Sequence, residues 1–250
     1  MKKNYLLVIM AFIGLALLTM SYTCAEEEGD DPTTEPTTDN TKPDNQTTDS
    51  NNGTEKNNTE NTDAMAFTDA EIAKANTAAN IASLTQMEKD IILYCNLARL
   101  DGSKFWAQYG SQAKGSSQYV SSLESDLKST KDLAMLTPEK SLMEAAAYHA
   151  NDMSKNNFFE HSSSDGTSFG DRVYGFYDGN AIAENISAGM GTAIGVVMQL
   201  LVDDGLASLG HRKNILGAKY VAIGVKTATH NTWRTVTVQD FGDKVITKME

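Results

Sequence analysis

Five residues in the second half of the chain have the side chains that acid–base or metal chemistry requires. They are two histidines and three carboxylates: His161, Glu184, Asp203, Asp204 and His211. Imidazole together with carboxylate suits general acid–base work, because imidazole gains and loses its proton near neutral pH. The same groups suit zinc, which takes nitrogen and oxygen ligands. The residue types therefore predict one polar site, provided that the fold brings these side chains together.

The spacing of these residues along the chain does not by itself establish a site. Neither histidine belongs to a local ligand pattern such as HExxH. Scattered carboxylates more often cap helices or lie on the solvated surface. The serines that follow His161, Ser162 to Ser164, lack the GxSxG context of a nucleophile and are typical of turns.

The residues around the candidates predict the elements that must position them. Glu184 to Ile186 is a short β-like run, and Gly189 to Gly191 suits a turn. An apolar helix is predicted from about Thr192 to Val202, and Asp203 and Asp204 follow it directly. The site would thus be built from a strand, the end of a helix and two loops.

Three motifs in this order resemble the CAP superfamily, the SCP-like domain shared by cysteine-rich secretory proteins, antigen 5 and pathogenesis-related 1 proteins, and by many bacterial secreted proteins. They are EHSSSDG around His161, AENI around Glu184 and GHRKNIL around His211. YCNLARLDG and LMEAAAYHANDM resemble two conserved helices of the family. The resemblance covers roughly Leu84 to Gly242.

The resemblance implies an α+β fold, an α-β-α sandwich in which helices cover a small antiparallel sheet. It also implies a central cleft with a tetrad of two histidines and two acids. Matched residue by residue, the tetrad is His161, Glu184, one of Asp203 and Asp204, and His211. Two features depart from the family pattern. Leu200-Leu201 stands where the family often has Trp, and the second acid is Asp rather than Glu.

Two functions follow as competing predictions. In the first, the domain is a surface-displayed binding module whose cleft holds a divalent metal through His161 and His211, zinc being the expected ion, together with an extracellular ligand such as a lipid, glycan or peptide. In the second, it is a metal-dependent, peptidase-like hydrolase in which Glu184 or the Asp acts as general base. A third interpretation makes the four groups a hydrogen-bond network that stabilises the fold. Whether the protein is an enzyme stays open at this stage.

The N-terminal residues predict export. Two lysines precede an apolar core from Tyr5 to about Met20, so residues 1–23 are typical of a secretory signal peptide. Cys24 follows directly, which predicts cleavage before it and lipid attachment to it, as in bacterial lipoproteins. The alternative is an ordinary signal peptide, because Ser21-Tyr22-Thr23 matches the lipobox poorly. We therefore predict a secreted protein that is lipid-anchored at the bacterial outer membrane or cell surface, with the membrane as one partner.

Residues 24–63 are predicted to be a lipid-attachment Cys followed by a disordered acidic tether. The segment from Glu26 to Asp63 contains Thr, Asn, Asp, Glu and Pro but no hydrophobic residue, so it cannot bury apolar surface to offset the entropy of ordering. It carries most of the chain's net charge of −12. The predicted domain, residues 64–250, is therefore only mildly acidic, and no nucleic-acid binding is expected.

The remaining pattern predicts helices first and a hairpin last. Capping boxes begin helices at Thr68, running to about Ala82, and at Thr85. Thr137-Pro138 suits a third helix start. Alternating residues predict strands at Tyr220 to Thr227 and Trp233 to Phe241, joined by a hairpin loop.

Three further residues carry reactive side chains without a clear role. Cys95 lies on the apolar side of its helix, which favours a buried inert thiol. His149 lies on an apolar helix face, which favours a hydrogen-bonded core residue over a role in the cleft. His230 is expected to be exposed at the hairpin tip.

Phe158 to Asn180 is expected to be a loop that borders the cleft.

Overall fold

The computed structural model describes residues 24–27 and 65–250, in which helices cover both faces of one sheet. The helices are α1 Asp69–Ala75, α2 Gln86–Leu100, α3 Gly102–Tyr109, α4 Ser117–Ser129, α5 Lys140–Asn156, α6 Phe169–Tyr174, α7 Ala193–Val202 and α8 Gly210–Leu216. The strands are β1 Cys24–Glu27, β2 Thr137–Pro138, β3 Ile182–Ala188, β4 Ala222–His230 and β5 Arg234–Gly242. None of the helices in these ranges combines the length and the apolar character that crossing a membrane requires.

The strands form one sheet in the order β1-β3-β5-β4-β2. β3, β5 and β4 are antiparallel neighbours, so Phe241 of β5 lies between Ala183 of β3 and Ile223 of β4. β1 pairs antiparallel with the side of β3 that faces away from β5. The predicted α+β sandwich is confirmed. The small antiparallel sheet is present in β3, β5 and β4, and the two-residue β2 adds a parallel pairing to β4.

The pair Thr137-Pro138 forms β2 instead of starting a helix. The backbone N–H groups of Thr137 and Glu139 donate to Val221 and Ile223, and Pro138 between them has no N–H to place. The helix starts two residues later, where the Glu139 side chain accepts from the N–H of Leu142 at 2.8 Å. The Pro therefore belongs to an edge strand, and a buried carboxylate caps α5.

Both predicted capping boxes form, but the first helix is shorter than expected. Thr68 and Glu71 cap α1, and Thr85 and Glu88 cap α2, each by reciprocal side-chain bonds. The first helix ends at Ala75 rather than near Ala82. Tertiary hydrogen bonds end it, because Asn96 of α2 donates to the carbonyl of Ala75 at 2.9 Å, and the following turn is held in the same way.

Alternation along the strands divides the core between the two faces of the sheet. Ile223, Val225 and Phe241 pack on one face, in the cluster that includes the apolar residues of α2 and α7. On the other face, Ile186 and Val238 pack in a cluster with Ala146, Ala150 and Met153 of α5. This division decides on which side each polar residue of β3 and β5 lies.

The stretch from Phe158 to Asn180 is only partly a loop. It contains α6, whose first turn is capped by Ser168 accepting from the N–H of Asp171 at 3.1 Å. The serines near His161 take part in local hydrogen bonds: Ser164, for example, donates its N–H and its hydroxyl to the Asp152 carboxylate. The interpretation of these serines as turn residues agrees with these bonds.

His230 is buried rather than exposed, so that expectation was wrong. Its Nε2 donates to the carbonyl of Phe158 at 3.1 Å. Its Nδ1 accepts from the backbone N–H groups of Thr232 and Trp233, both at 3.2 Å. The ring thus closes the β4–β5 turn and joins it to the chain after α5. Simple alternation could not reveal this contact.

The N-terminal predictions concern residues of which the structure describes little. The predicted signal peptide and most of the predicted tether lie outside the described residues. Within the segment predicted to be disordered, Glu26 and Glu27 belong to β1. The lipid-anchor and tether assignments stay predictions.

Candidate functional site

His161 and Glu184 form the first of two histidine–acid pairs. Nδ1 of His161 donates to Oε1 of Glu184 at 2.7 Å. The other oxygen, Oε2, accepts from Nη2 of Arg172 at 2.6 Å. Glu184 is fully buried, whereas His161 keeps 13% of its side chain exposed. Because Nδ1 donates to a carboxylate, the proton of the neutral ring lies on that nitrogen.

Arg172 of α6 holds this pair together. Its Nη1 donates to the backbone carbonyl of His161 at 2.7 Å and to the hydroxyl of Ser163 at 3.1 Å. Its Nη2 binds Glu184. A single buried guanidinium therefore fixes both the loop that carries His161 and the carboxylate that orients its ring. The planar fork of arginine makes this possible, and a lysine would not reproduce it.

Asp240 lies directly across from Glu184, on β5. It is fully buried. Among the described residues, no N–H or hydroxyl group donates a hydrogen bond to either of its carboxyl oxygens. Burial raises the pKa of Glu184 to about 7, although the Arg172 charge opposes this. Burial also raises the pKa of Asp240 well above its ordinary value, and the neighbouring Glu184 charge raises it further.

His149 of α5 lies behind the first pair. It is fully buried, and its Nε2 donates to the carbonyl of Glu160 at 2.8 Å, 3.9 Å from Oε1 of Glu184. Burial, assisted by the Arg172 charge, lowers the pKa of His149 to about 3, so the ring is neutral. His149 is therefore the hydrogen-bonded core residue that its helix face predicted, and it also forms one wall around Glu184.

His211 and Asp203 form the second pair. Nδ1 of His211 donates to Oδ1 of Asp203 at 2.7 Å, and the N–H of Arg212 donates to Oδ2 at 3.3 Å. Both side chains of the pair are buried. Asp204 points elsewhere, because its Oδ1 accepts from the N–H of Ser116 at 3.1 Å. Of the two candidate acids, the structure thus pairs Asp203 with the histidine.

Two residues with a left-handed backbone conformation orient the second pair. Asp203 ends α7 with φ 57°, and Leu209 precedes α8 with φ 53°. Arg212 then fastens α8 to the end of α7, donating to the carbonyls of Leu201 at 2.6 Å and Val202 at 2.9 Å. The left-handed region is unfavourable for a leucine. The surrounding hydrogen bonds keep it there, so that His211 faces the carboxylate.

A buried amide network connects the two pairs. Asn185, next to Glu184 on β3, donates to the backbone carbonyl of His211 at 3.2 Å and to Gln239 at 3.1 Å. Asn214 of α8 donates to Asn185 at 2.9 Å. Successive strand residues point to opposite faces of a sheet. The first pair therefore lies on the α5 and α6 face, and the second lies on the α2 and α8 face, beside the same strand.

The family model of the cysteine-rich secretory protein family, CAP, matches residues 92–241. The chain belongs to the CAP family. The matched range contains both histidine–acid pairs, Arg172 and Asp240. None of the curated proteins matches the chain.

Solved structures of bacterial proteins resemble the chain at low identity. One is an extracellular SCP-domain protein of Bacillus anthracis, with TM-score 0.42 and 21% identity over 65% of this chain and 45% of that one. A Borrelia burgdorferi outer surface protein has TM-score 0.39 and 21% identity over 51% and 90% of the two chains. A Staphylococcus aureus cysteine-rich secretory protein has TM-score 0.39 and 14% identity over 64% and 40%. The match thus spans less than half the length of the first and third proteins.

The two pairs of this CAP domain orient their imidazoles in the same way. With Nδ1 bonded to a carboxylate, Nε2 is the nitrogen that can accept a proton or bind a metal ion. Among residues 24–27 and 65–250, no three His, Cys, Asp or Glu side chains are grouped to hold a metal ion. The described residues therefore supply no group of three protein ligands for one ion. They do not fit a closed four-ligand zinc site.

Sequence reasoning missed two buried members of this CAP site, Arg172 and Asp240. No sequence pattern pointed to Arg172, because its helix lies within the segment from Phe158 to Asn180 that was predicted to be a loop. Asp240 had one: it stands on a strand among Val236, Val238 and Phe241, where a charged residue is unexpected. Only the register of β5 against β3 shows that it meets Glu184.

Proposed function

We propose that the protein is an extracellular binding module that takes its ligand at the outer edge of β3, the edge that faces away from β5. The position of the two pairs about one strand carries this proposal. Glu184 orients His161 on one face of the sheet, and the neighbouring Asn185 contacts His211 on the other. A ligand along this edge would therefore lie beside both pairs.

An extended peptide suits this edge better than the other predicted ligands, a lipid or a glycan. A peptide that displaces β1 would satisfy the backbone N–H and C=O groups on this side of β3 by adding a strand in its place. The chain's own β1 pairs there, with Ala25 beside Glu184 and Cys24 beside Asn185. This pairing supports a peptide that runs antiparallel to β3 and passes between the two histidines.

A divalent cation is the second part of the proposal, with zinc the expected ion. His161 and His211 would each offer one Nε2 on its own side of the sheet, to an ion whose other ligands come from the bound peptide or from solvent, while Glu184 and Asp203 orient the rings. We expect calorimetry to detect zinc binding to the full-length chain and to lose it in the His161→Ala/His211→Ala variant. Binding that survives in the variant would remove these histidines from the metal site.

A hydrolase at the same edge is the alternative. An imidazole whose Nδ1 bonds to a carboxylate can serve as a general base. His161 and His211 each have such a carboxylate partner. A side-chain nucleophile is poorly supplied, since the Ser163 hydroxyl accepts from Arg172 and burial raises the pKa of the Cys95 thiol to about 12. The attacking group would then be water. Turnover of extended peptides that His211→Ala abolishes would favour this alternative.

Hydrogen exchange tests the peptide proposal. We compare the full-length chain with a variant that lacks Cys24 to Glu27. Deletion should expose those β3 amides between Ile182 and Asn185 that point away from β5, and an added peptide of residues 24–31 should protect them again. Amides that bond to β5 report on the fold and should not change.

A proline variant supplies the matched control. Proline has no N–H and so weakens strand pairing, and Ala25→Pro should reproduce the deletion, whereas Ala25→Val should not. If the outer amides of β3 exchange equally fast in all four proteins, the edge does not hold a peptide, and the proposal fails.

A further inference from the structure

Asp240 is a buried acid that belongs to neither histidine–acid pair. It lies beside Glu184 across the β3–β5 ladder, and both residues are fully buried. Because they are directly opposite on neighbouring strands, their side chains leave the same face of the sheet a few ångströms apart. The two carboxyl groups must therefore be considered together.

The hydrogen bonds of Glu184 show which of the two acids carries the negative charge. Its two oxygens accept from His161 and from the Arg172 guanidinium, as a carboxylate does. Asp240 has no comparable donor, since neither of its oxygens is reached by an N–H or hydroxyl group of any residue that the structure describes. An unpaired carboxylate in such a place is strongly unfavourable.

The other charged or titratable groups around the two acids do not change this balance. Arg172 is the cation that binds Glu184, and His149 is neutral because burial lowers its pKa. His161 donates through Nδ1 to Glu184, and a charge on its ring lowers the pKa of Asp240 by less than burial raises it. With the His161 ring neutral, one positive charge faces two acids, and the charges balance when one acid is ionised and the other is neutral.

We propose that Asp240 is a neutral carboxylic acid that donates its proton to a hydrogen bond with Glu184, and that this bond holds Glu184 in the position that orients His161. Asp240 is thus a positioning residue, one step removed from the imidazole. Glu184 is fixed from three directions, by His161, Arg172 and Asp240. A neutral buried acid used as a hydrogen-bond donor is known chemistry in enzyme sites.

This inference concerns the proposed site but depends neither on the peptide nor on the metal, because its test observes the side chains directly. The first measurement is the carboxyl ¹³C chemical shift of Asp240 in the full-length, metal-free protein at neutral pH. We expect the shift of a protonated acid. A carboxylate shift would overturn the proposal.

Two substitutions test the positioning role. Asp240→Asn keeps a donor of the same size, whereas Asp240→Leu removes it. We expect the hydrogen-bonded Nδ1–H signal of His161 to persist in Asp240→Asn and to shift or vanish in Asp240→Leu. The Nδ1–H signal of His211, which bonds to Asp203 on the other face, should be the same in all three proteins.

Two results would overturn the positioning role. One is a folded Asp240→Asn protein that has lost the His161 signal while keeping that of His211. The other is a folded Asp240→Leu protein with the His161 signal unchanged. If Asp240→Leu does not fold, the Asp240→Asn spectrum and the Asp240 carboxyl shift decide the question by themselves.

Discussion

At the scale of single residues, Asp203 and Asp204 differ only in where the backbone points them. Asp203 has the left-handed φ of 57° that ends α7, which turns its carboxylate toward His211. Asp204, one residue later, reaches Ser116 instead. Two identical side chains therefore have unequal roles because the backbone directs them to different partners.

The first prediction compares Asp203→Asn with Asp204→Asn. Asparagine tolerates the left-handed conformation, so the backbone should be kept in both variants. Asp203→Asn weakens a buried charge-assisted hydrogen bond and should lower the free energy of unfolding by about 1–3 kcal/mol. Asp204→Asn should stay within about 0.5 kcal/mol of the wild type, as surface changes usually do.

Urea denaturation monitored by fluorescence measures both values, and the Nδ1–H signal of His211 reports the pairing directly. Equal losses in the two variants, with the His211 signal unchanged, would contradict the assignment of Asp203 as the partner.

The second prediction concerns pH and the two buried acids. Burial raises the pKa of Glu184 from 4.5 to about 7 and raises the pKa of Asp240 as well. Acids with raised folded-state pKa values contribute stability that is complete below the unfolded pKa and is lost as pH rises toward the folded pKa. His149 acts oppositely, because its lowered pKa removes stability as pH falls from 6.5 toward about 3.

Comparing the wild type with Asp240→Asn isolates the acids, since His149 is common to both. In metal-free buffer the variant should gain stability relative to the wild type as pH rises from about 4 to 7, because only the wild type then loses the contribution of the raised Asp240 pKa. Melting temperatures measured across this range provide the check. A difference that does not change with pH would mean that no acid with a raised pKa was removed.

At the scale of elements, the junction between β2 and α5 shows how one buried carboxylate replaces the expected helix start. Oε2 of Glu139 accepts from the N–H of Leu142, and Oε1 accepts from the N–H of Thr247 near the C-terminus. Glu139 thus caps α5 and also holds the C-terminal residues beside it. α5 carries His149 behind Glu184, so this cap contributes to the position of the site.

The third prediction is that Glu139→Ala destabilises the protein by about 1–3 kcal/mol, because it removes a cap and leaves a second N–H without its acceptor. Glu139→Gln keeps an amide oxygen that can serve one of the two N–H groups, so it should lose clearly less. Thermal unfolding measures both. Equal destabilisation by the two variants would mean that the charge, rather than the acceptor oxygens, is what Glu139 contributes.

At the scale of the whole molecule, the sheet separates the two histidine–acid pairs and also connects them. His161, Glu184 and Asp240 lie on the α5 and α6 face, and His211 and Asp203 lie on the α2 and α8 face. β3 is common to both, and Asn185 bonds to the His211 carbonyl. The proposed peptide, at the side of β3 where β1 pairs, would lie beside both pairs.

The fourth prediction concerns the N-terminal anchor, which belongs to the whole protein rather than to the domain. If Cys24 is lipidated, wild-type protein expressed in a bacterium that processes lipoproteins should partition into detergent, and Cys24→Ala should move to the aqueous phase. Since β1 pairs with β3 through its backbone, which Cys24→Ala preserves, the melting temperature should stay the same. A Cys24→Ala protein that still partitions into detergent would exclude the lipid anchor.

Local patterns in the sequence predicted many of the helices and strands. The capping boxes at Thr68 and Thr85, the apolar helix after Thr192 and the alternating hairpin strands all form, because each depends on neighbouring residues. The family resemblance, which rested on short motifs around His161, Glu184 and His211, is confirmed by the family match.

Only the tertiary structure decided how the site is assembled, because its contacts depend on which distant segments of the chain pair. The register of β5 against β3 places Asp240 beside Glu184, and α6 brings Arg172 to both Glu184 and the His161 loop. Burial then sets the pKa values, and no local pattern shows how deeply a carboxyl group will lie. The sequence by itself predicted most of the elements and named the candidate groups. Long-range packing decided that His161 pairs with Glu184 and that His211 pairs with Asp203.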